Sequence, residues 1–234
     1  MKKFLSLFIC TLLTVVVFAQ DKKKIDLSNR ANDHLLLQLG YTKWAGIPDS
    51  INTKGLSKSL NLYVMFDFPF KSNPKLSMAM GLGVGSDHII FSKTHVGIKE
   101  NAAAIRFTDQ SDTNHFKKTK LATSYLEVPV EFRFSADPVN GKGVKFAVGV
   151  KIGTMINAHT RNTKFEDKTG SLINDHVMKE SSKRFFNKNR LSGTVRIGYG
   201  HFSLYGSYQF TTLFKDGLGP AVRPFSIGLT LSGL

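Results

Sequence analysis

Two carboxylates four residues apart, Glu127 and Glu131, lie on one face of a segment that alternates apolar and polar side chains. Such a pair can serve as general acid and general base when one carboxyl stays protonated and the other ionised. Here Arg133 shares their face and offers both a cation, and the segment supplies no recognisable substrate cleft. A second constellation is Ser86, His88, Ser92 and His95, the residue types of a hydrolase nucleophile and its base, with Asp87 the one adjacent carboxylate that could orient a histidine. The seven histidines show no His-Glu-x-x-His or comparable spacing, so no metal site is expected. The run Gly81-Leu82-Gly83-Val84-Gly85 is glycine-rich but lacks the Gly-Lys-Ser/Thr ending and following helix of a phosphate loop. The expectation from these residues is no catalytic, cofactor-binding or metal centre, and no cofactor.

The elements that carry them are strands. Leu60, Leu62, Val64, Phe66, Phe68 and Phe70 share one face, and Asn61, Tyr63, Met65, Asp67 and Pro69 the other. The same period of two runs through residues 125–134 and 144–156, and helix periodicity fits none of these windows. Further strands are predicted at 35–44, 76–85, 190–199, 202–214 and 225–231. Alternation sustained over about ten residues is the signature of a strand crossing a bilayer, where a closed barrel alone satisfies every backbone group. The face opposite the apolar one is rich in Gly, Ala and Ser with a few ions, which suits a narrow lumen rather than a solvated sheet. The sequence therefore predicts an all-β fold, an eight-stranded antiparallel up-and-down transmembrane β-barrel.

Lys2 and Lys3, an apolar run from Phe4 to Phe18, and Ala19 predict a secretory signal peptide over 1–19. A basic periplasmic segment then spans 20–33 and the barrel 34–234. Cys10 falls inside the signal, so the mature chain is expected to lack cysteine and disulfides. The formal charge of +15 includes Lys2 and Lys3. Export argues against nucleic acid as the partner and assigns the excess to loops and lipid headgroups. Connections at 71–75, 135–143 and 200–201 are short, whereas 45–59, 86–122 and 158–189 are long. This asymmetry puts the short turns and both termini in the periplasm of a Gram-negative cell, with the barrel in its outer membrane. Phe70, Phe134, Phe146, Tyr199 and Phe202 would then form one aromatic belt at the periplasmic interface. Trp44 would mark the opposite rim, although its parity turns it inward.

An eight-stranded barrel has an interior that side chains fill. Its inward set contains Asp67, Glu127 and Glu131 against Arg133, Lys145, Lys151 and Arg196. This near balance predicts a structural ion-pair network, with Lys151 and Arg196 as the chief partners of the two glutamates. Two long loops, 92–120 and 161–189, each carry a net charge of about +3 and are suited to the phosphates of outer-leaflet lipid.

The segments Tyr125-Leu126-Glu127-Val128-Pro129-Val130 and Arg223-Pro224-Phe225-Ser226-Ile227-Gly228-Leu229 resemble the PorT-like outer-membrane β-barrel family. The resemblance implies a non-enzymatic cell-envelope protein without cofactor, whose namesake takes part in protein secretion through the type IX system. It offers no catalytic residues to transfer. The expected role is structural or interaction-based, with envelope or secretion-system proteins as partners. A small-solute porin and an outer-membrane hydrolase at Ser86/His88 stand as alternatives.

Overall fold

Period-two alternation leaves a run of large apolar side chains on one face of each membrane-crossing segment, and closing the sheet on itself turns that face outward. The computed structural model describes residues 34–233; the signal peptide predicted at 1–19 and the basic segment at 20–33 lie outside the described residues. Among the described residues eleven strands are present: β1 (Leu35–Ala45), β2 (Lys58–Phe70), β3 (Asn73–Phe91), β4 (Thr94–Gly97), β5 (Arg106–Asp109), β6 (His115–Ser135), β7 (Val144–Glu166), β8 (Leu172–Ser181), β9 (Asn189–Tyr199), β10 (Phe202–Gln209) and β11 (Arg223–Ser232). The order β6-β3-β2-β1-β11-β10-β9-β7 closes through the β6–β7 pairing, giving an eight-stranded antiparallel barrel. Strands β4 and β5 form a separate hairpin, and β8 adds to the far end of β7.

Leu62, Phe66, Leu82, Ile152, Ile197 and Leu229 are each about half exposed on the outer wall. On β7 the outward apolar series runs from Val144 to Ile156. The ten residue steps from Phe146 to Ile156, at about 3.3 Å rise and about 40° tilt, span roughly 25 Å, the height of a lipid-facing girdle. Glycines on the inner face make room for large neighbours. A Cβ on Gly83 would meet the Leu62 carbonyl oxygen at 2.1 Å and Tyr63 Cδ1 at 2.4 Å, so the Tyr63 ring lies across the space a side chain would need.

Above the girdle the structure departs from the predicted long loop at 86–122. Strand β3 continues to Phe91 and β6 begins at His115, with β4 and β5 between them. Likewise β7 runs to Glu166, exchanging β9 for β8 as its neighbour beyond Thr154. These extensions form a tall sheet of β3, β6, β7 and β8 on one side of the barrel. Strand β10 ends at Gln209 rather than at Phe214, because Leu213 and Phe214 turn into an apolar core above the lumen.

Candidate functional site

Inward parity on five strands brings eleven charged or aromatic groups into the lumen, in two tiers. In the tier nearer the short turns, Glu131 of β6 accepts from Arg196 Nη2 of β9 at 2.8 Å and from Arg133 Nε at 2.9 Å. Arg133 Nη1 also lies 3.8 Å from Asp67 of β2, whose carboxylate accepts from Ser77 Oγ at 2.7 Å. Lys145 of β7 is half-buried and lines a cavity of about 30 Å³ with Asp67, Arg133 and Arg196.

In the upper tier Glu127 is fully buried. It accepts from Arg190 Nε at 2.6 Å and from the Tyr63 hydroxyl, and Lys151 Nζ stands 3.9 Å away. Lys151 Nζ donates to the Tyr63 oxygen at 3.2 Å, which makes the tyrosine a relay between base and acid. Arg190 Nη1 reaches Asp87 at 2.7 Å, and its guanidinium stacks 4.0 Å from the centre of the Tyr125 ring. Glu131 thus meets the expected Arg196, whereas the closest base to Glu127 is Arg190 rather than Lys151.

Arg190 and Asp87 were absent from the inward set read from sequence. Arg190 has the same parity as Arg196 and was recoverable from it. Asp87 continues the odd-numbered inward series of β3, two residues past where that strand was predicted to stop. With both included, each buried carboxylate has a cation within 4.0 Å. Buried ions lose hydration worth several kcal/mol each, and pairing with additional hydrogen bonds offsets that cost.

Over this network sits an apolar lid. Trp44, 3% exposed near the end of β1, faces inward at the outer mouth, as its parity requires. Its ring meets Phe91, Phe214 and Phe107 edge-on, at centroid distances of 5.6, 5.8 and 6.3 Å. Asn187 clasps the loop that carries Phe214, donating from Nδ2 to the Thr212 and Phe214 carbonyls at 2.9 and 2.8 Å. A cavity of about 10 Å³ lies in the upper tier beside Asp87 and Arg190. Spaces of this size hold a water molecule or two.

The serine–histidine cluster is split by the fold. Ser86 Oγ lies 3.0 Å from His88 Nε2 on the outer wall, but Asp87 points into the lumen toward Arg190. His95 is on β4 and pairs with Glu100 at 3.0 Å, and Ser92 lies at the β3–β4 turn. Among the described residues no orienting carboxylate therefore serves the Ser86–His88 pair. Among the described residues no three His, Cys, Asp or Glu side chains converge as a metal site. The five aromatics Phe70, Phe134, Phe146, Tyr199 and Phe202 all point outward, with Phe134 opposite Phe146 and Tyr199 opposite Phe202 in register.

Comparison with known proteins agrees with this architecture. No curated protein sequence matches the chain. Two structures of Ail from Yersinia pestis are similar in outline. The crystal structure of that attachment invasion locus protein, in complex with the heparin analogue sucrose octasulfate, has 10% identity and a TM-score of 0.38 over 85% of this chain and 94% of that one. Its backbone structure in a phospholipid bilayer nanodisc has 13% identity and a TM-score of 0.32 over 86% and 99%. Residues 18–214 match the family described as "Outer membrane protein beta-barrel domain", which places the barrel in the outer membrane of a Gram-negative bacterium. The chain belongs to that outer-membrane β-barrel family.

Proposed function

We propose that this protein is a non-enzymatic, non-conducting barrel that acts as a structural and interaction element of the cell envelope. The observation that carries this reading is the double closure of the lumen. Two tiers of buried ion pairs fill its bore, and the Trp44 lid covers its outer mouth. A filter for ions of one sign needs a ring of like charges beside water, whereas here acids and bases neutralise one another. The surfaces left to meet other molecules are the turns and the tall arm, where Leu172, Ile173 and Val177 of β8 are more than half exposed on an edge strand. Single-channel recording on the refolded protein in planar bilayers tests the reading. The expected trace shows no current steps above leak; a stable, large conductance refutes it.

The narrower form of this proposal is a secretion-accessory role like that of PorT-like barrels. It draws on the resemblance of segments 125–130 and 223–229 to that family. Crosslinking and pull-down from native membranes separates the two forms. Recovery of secretion components supports the narrower one, and recovery of general barrel-assembly factors alone removes it.

A further inference from the structure

Above the girdle the outer wall of the tall sheet becomes basic. His88 of β3 faces Ala122 of β6, which in turn faces His159 of β7. One row further out, Lys120 faces Arg161, and Arg161 faces Lys179 of β8. Residues directly opposite on antiparallel strands lie about 5 Å apart, and like charges there repel. Alternation sends all three cations outward, since Thr119, Leu121, Thr160 and Asn162 between them are buried. Lys118 follows on the same face. Across the four strands, from Ser86 to Val177, this face holds no carboxylate.

Beneath the cations lies a polar shelf. Ser86 Oγ is 3.0 Å from both His88 Nε2 and Ser124 Oγ, and Ser181 Oγ donates to Asn157 Oδ1 at 3.0 Å. Burial, then the charges of Arg161, Lys118 and Lys179, hold the Lys120 ammonium below its ordinary range. A row of cations without an acid calls for an anion to cover it.

Position selects which anion. Ile156 ends the lipid-facing series on β7, and His159 and Arg161 follow about 8 to 13 Å higher by strand rise and tilt, at headgroup depth. Below them Leu126, Val128, Val150 and Ile152 are exposed to the hydrocarbon. An apolar wall capped by cations matches a ligand with acyl tails and a phosphorylated head. We propose that Lys120, Arg161 and Lys179, above His88 and His159, bind the phosphorylated headgroup of an outer-leaflet glycolipid. Arg161 offers a planar fork to two phosphate oxygens, and the lysines act as point charges on either side.

The test uses the purified full-length protein folded in zwitterionic detergent, with bis-phosphorylated lipid A as probe and calorimetry as readout. A Lys or Arg beside an anionic lipid surface is worth a factor of about five, so the triple variant K120Q/R161Q/K179Q should bind about a hundredfold more weakly. Lys179→Gln alone, at an exposed position, should lose about fivefold and covers a triple variant that does not fold. A charge-matched control, K71Q/K75Q/K142Q, should remain within about twofold of the parent, since these exposed lysines lie at the short turns on the opposite end of the barrel. The proposal is overturned by an unchanged affinity in the triple or single variant, or by equal binding of lipid A stripped of its phosphates. Displacement of lipid A by equimolar inorganic phosphate overturns it too, as does binding of sucrose octasulfate without binding of lipid A.

Discussion

Arg190→Met is the sharpest perturbation of the lumen. Arg190 holds two buried carboxylates at close range, at 2.6 Å to Glu127 and 2.7 Å to Asp87. Methionine keeps much of the side-chain volume and removes the charge. Glu127 would retain Lys151 at 3.9 Å and the Tyr63 hydroxyl, while Asp87 would lose its ion-pair partner. Removing one member of a buried pair costs about 3–5 kcal/mol, and the stranded second acid places this variant at the upper end, about 5 kcal/mol. With a urea slope of about 1–3 kcal/mol per molar, the unfolding midpoint should fall by roughly 2–5 M. Trp44, the single tryptophan of the sequence, reports the transition by fluorescence in detergent micelles, and the mobility of the unheated protein on a gel checks it independently. The triple variant R190M/E127Q/D87N removes the stranded charges along with their partner. It should recover to within about 2 kcal/mol of the parent, a strongly non-additive result. A single variant within about 0.5 kcal/mol of the parent, or a triple variant less stable than the single, refutes the network as a coupled unit.

Two further outcomes follow from the lid and the arm. Trp44→Ala removes the ring around which Phe91, Phe107 and Phe214 are arranged and should cost the lid about 3–5 kcal/mol. Limited proteolysis should then cut the β4–β5 region while the lipid-embedded barrel stays intact; equal resistance in parent and variant contradicts the packing described. The arm should also loosen in acid. Burial and Lys120 hold His88 below its ordinary value of 6.5, and burial, Lys179 and Lys120 do the same for His159. Lys58 of β2 and Arg161 of β7 add further positive charge beside them, with Asp87 the opposing neighbour of His88. The unfolded arm therefore takes up protons that the folded arm resists, so stability is complete above about pH 6.5 and declines as pH falls through and below it. In lipid-free detergent, amide exchange in the β6 and β7 extensions, corrected for intrinsic rate, should be faster at pH 5.5 than at pH 7.5. H88Q/H159Q should abolish the difference; persistence of the difference in that variant assigns it elsewhere.

All eight barrel strands were legible in the sequence because lipid imposes one rule over their whole crossing length, apolar outward and small or ionic inward. That rule inverts where the wall leaves the bilayer. On β3 the apolar series passes from the outward Met78, Met80, Leu82 and Val84 to the inward Ile89 and Phe91. On β6 it passes from the outward Leu126 and Val128 to the inward Leu121. A change of parity within one continuous strand looks like the end of the strand, and so the extensions read as loop. A bulge opposite Ser124/Tyr125 shifts the phase of β7 once more beyond Ile156. The ion network was legible in its lower tier, where strand ends were placed well. In the upper tier one of the two close contacts of Arg190, that to Asp87, involves a residue beyond the predicted end of β3. The lid was the least legible part, because Trp44, Phe107 and Phe214 come from segments remote in sequence and no local period links them.

The exchange of β9 for β8 along β7 gives the molecule a front and a back. A cylinder of uniform height meets every neighbour in the bilayer alike, whichever way it has spun. Here one flank stops near the headgroups and the opposite flank stands proud of them, ending in the unpaired margin of β8. A companion sliding past in the plane of the membrane would therefore meet a directional object, and any lasting association must choose an azimuth as well as a partner.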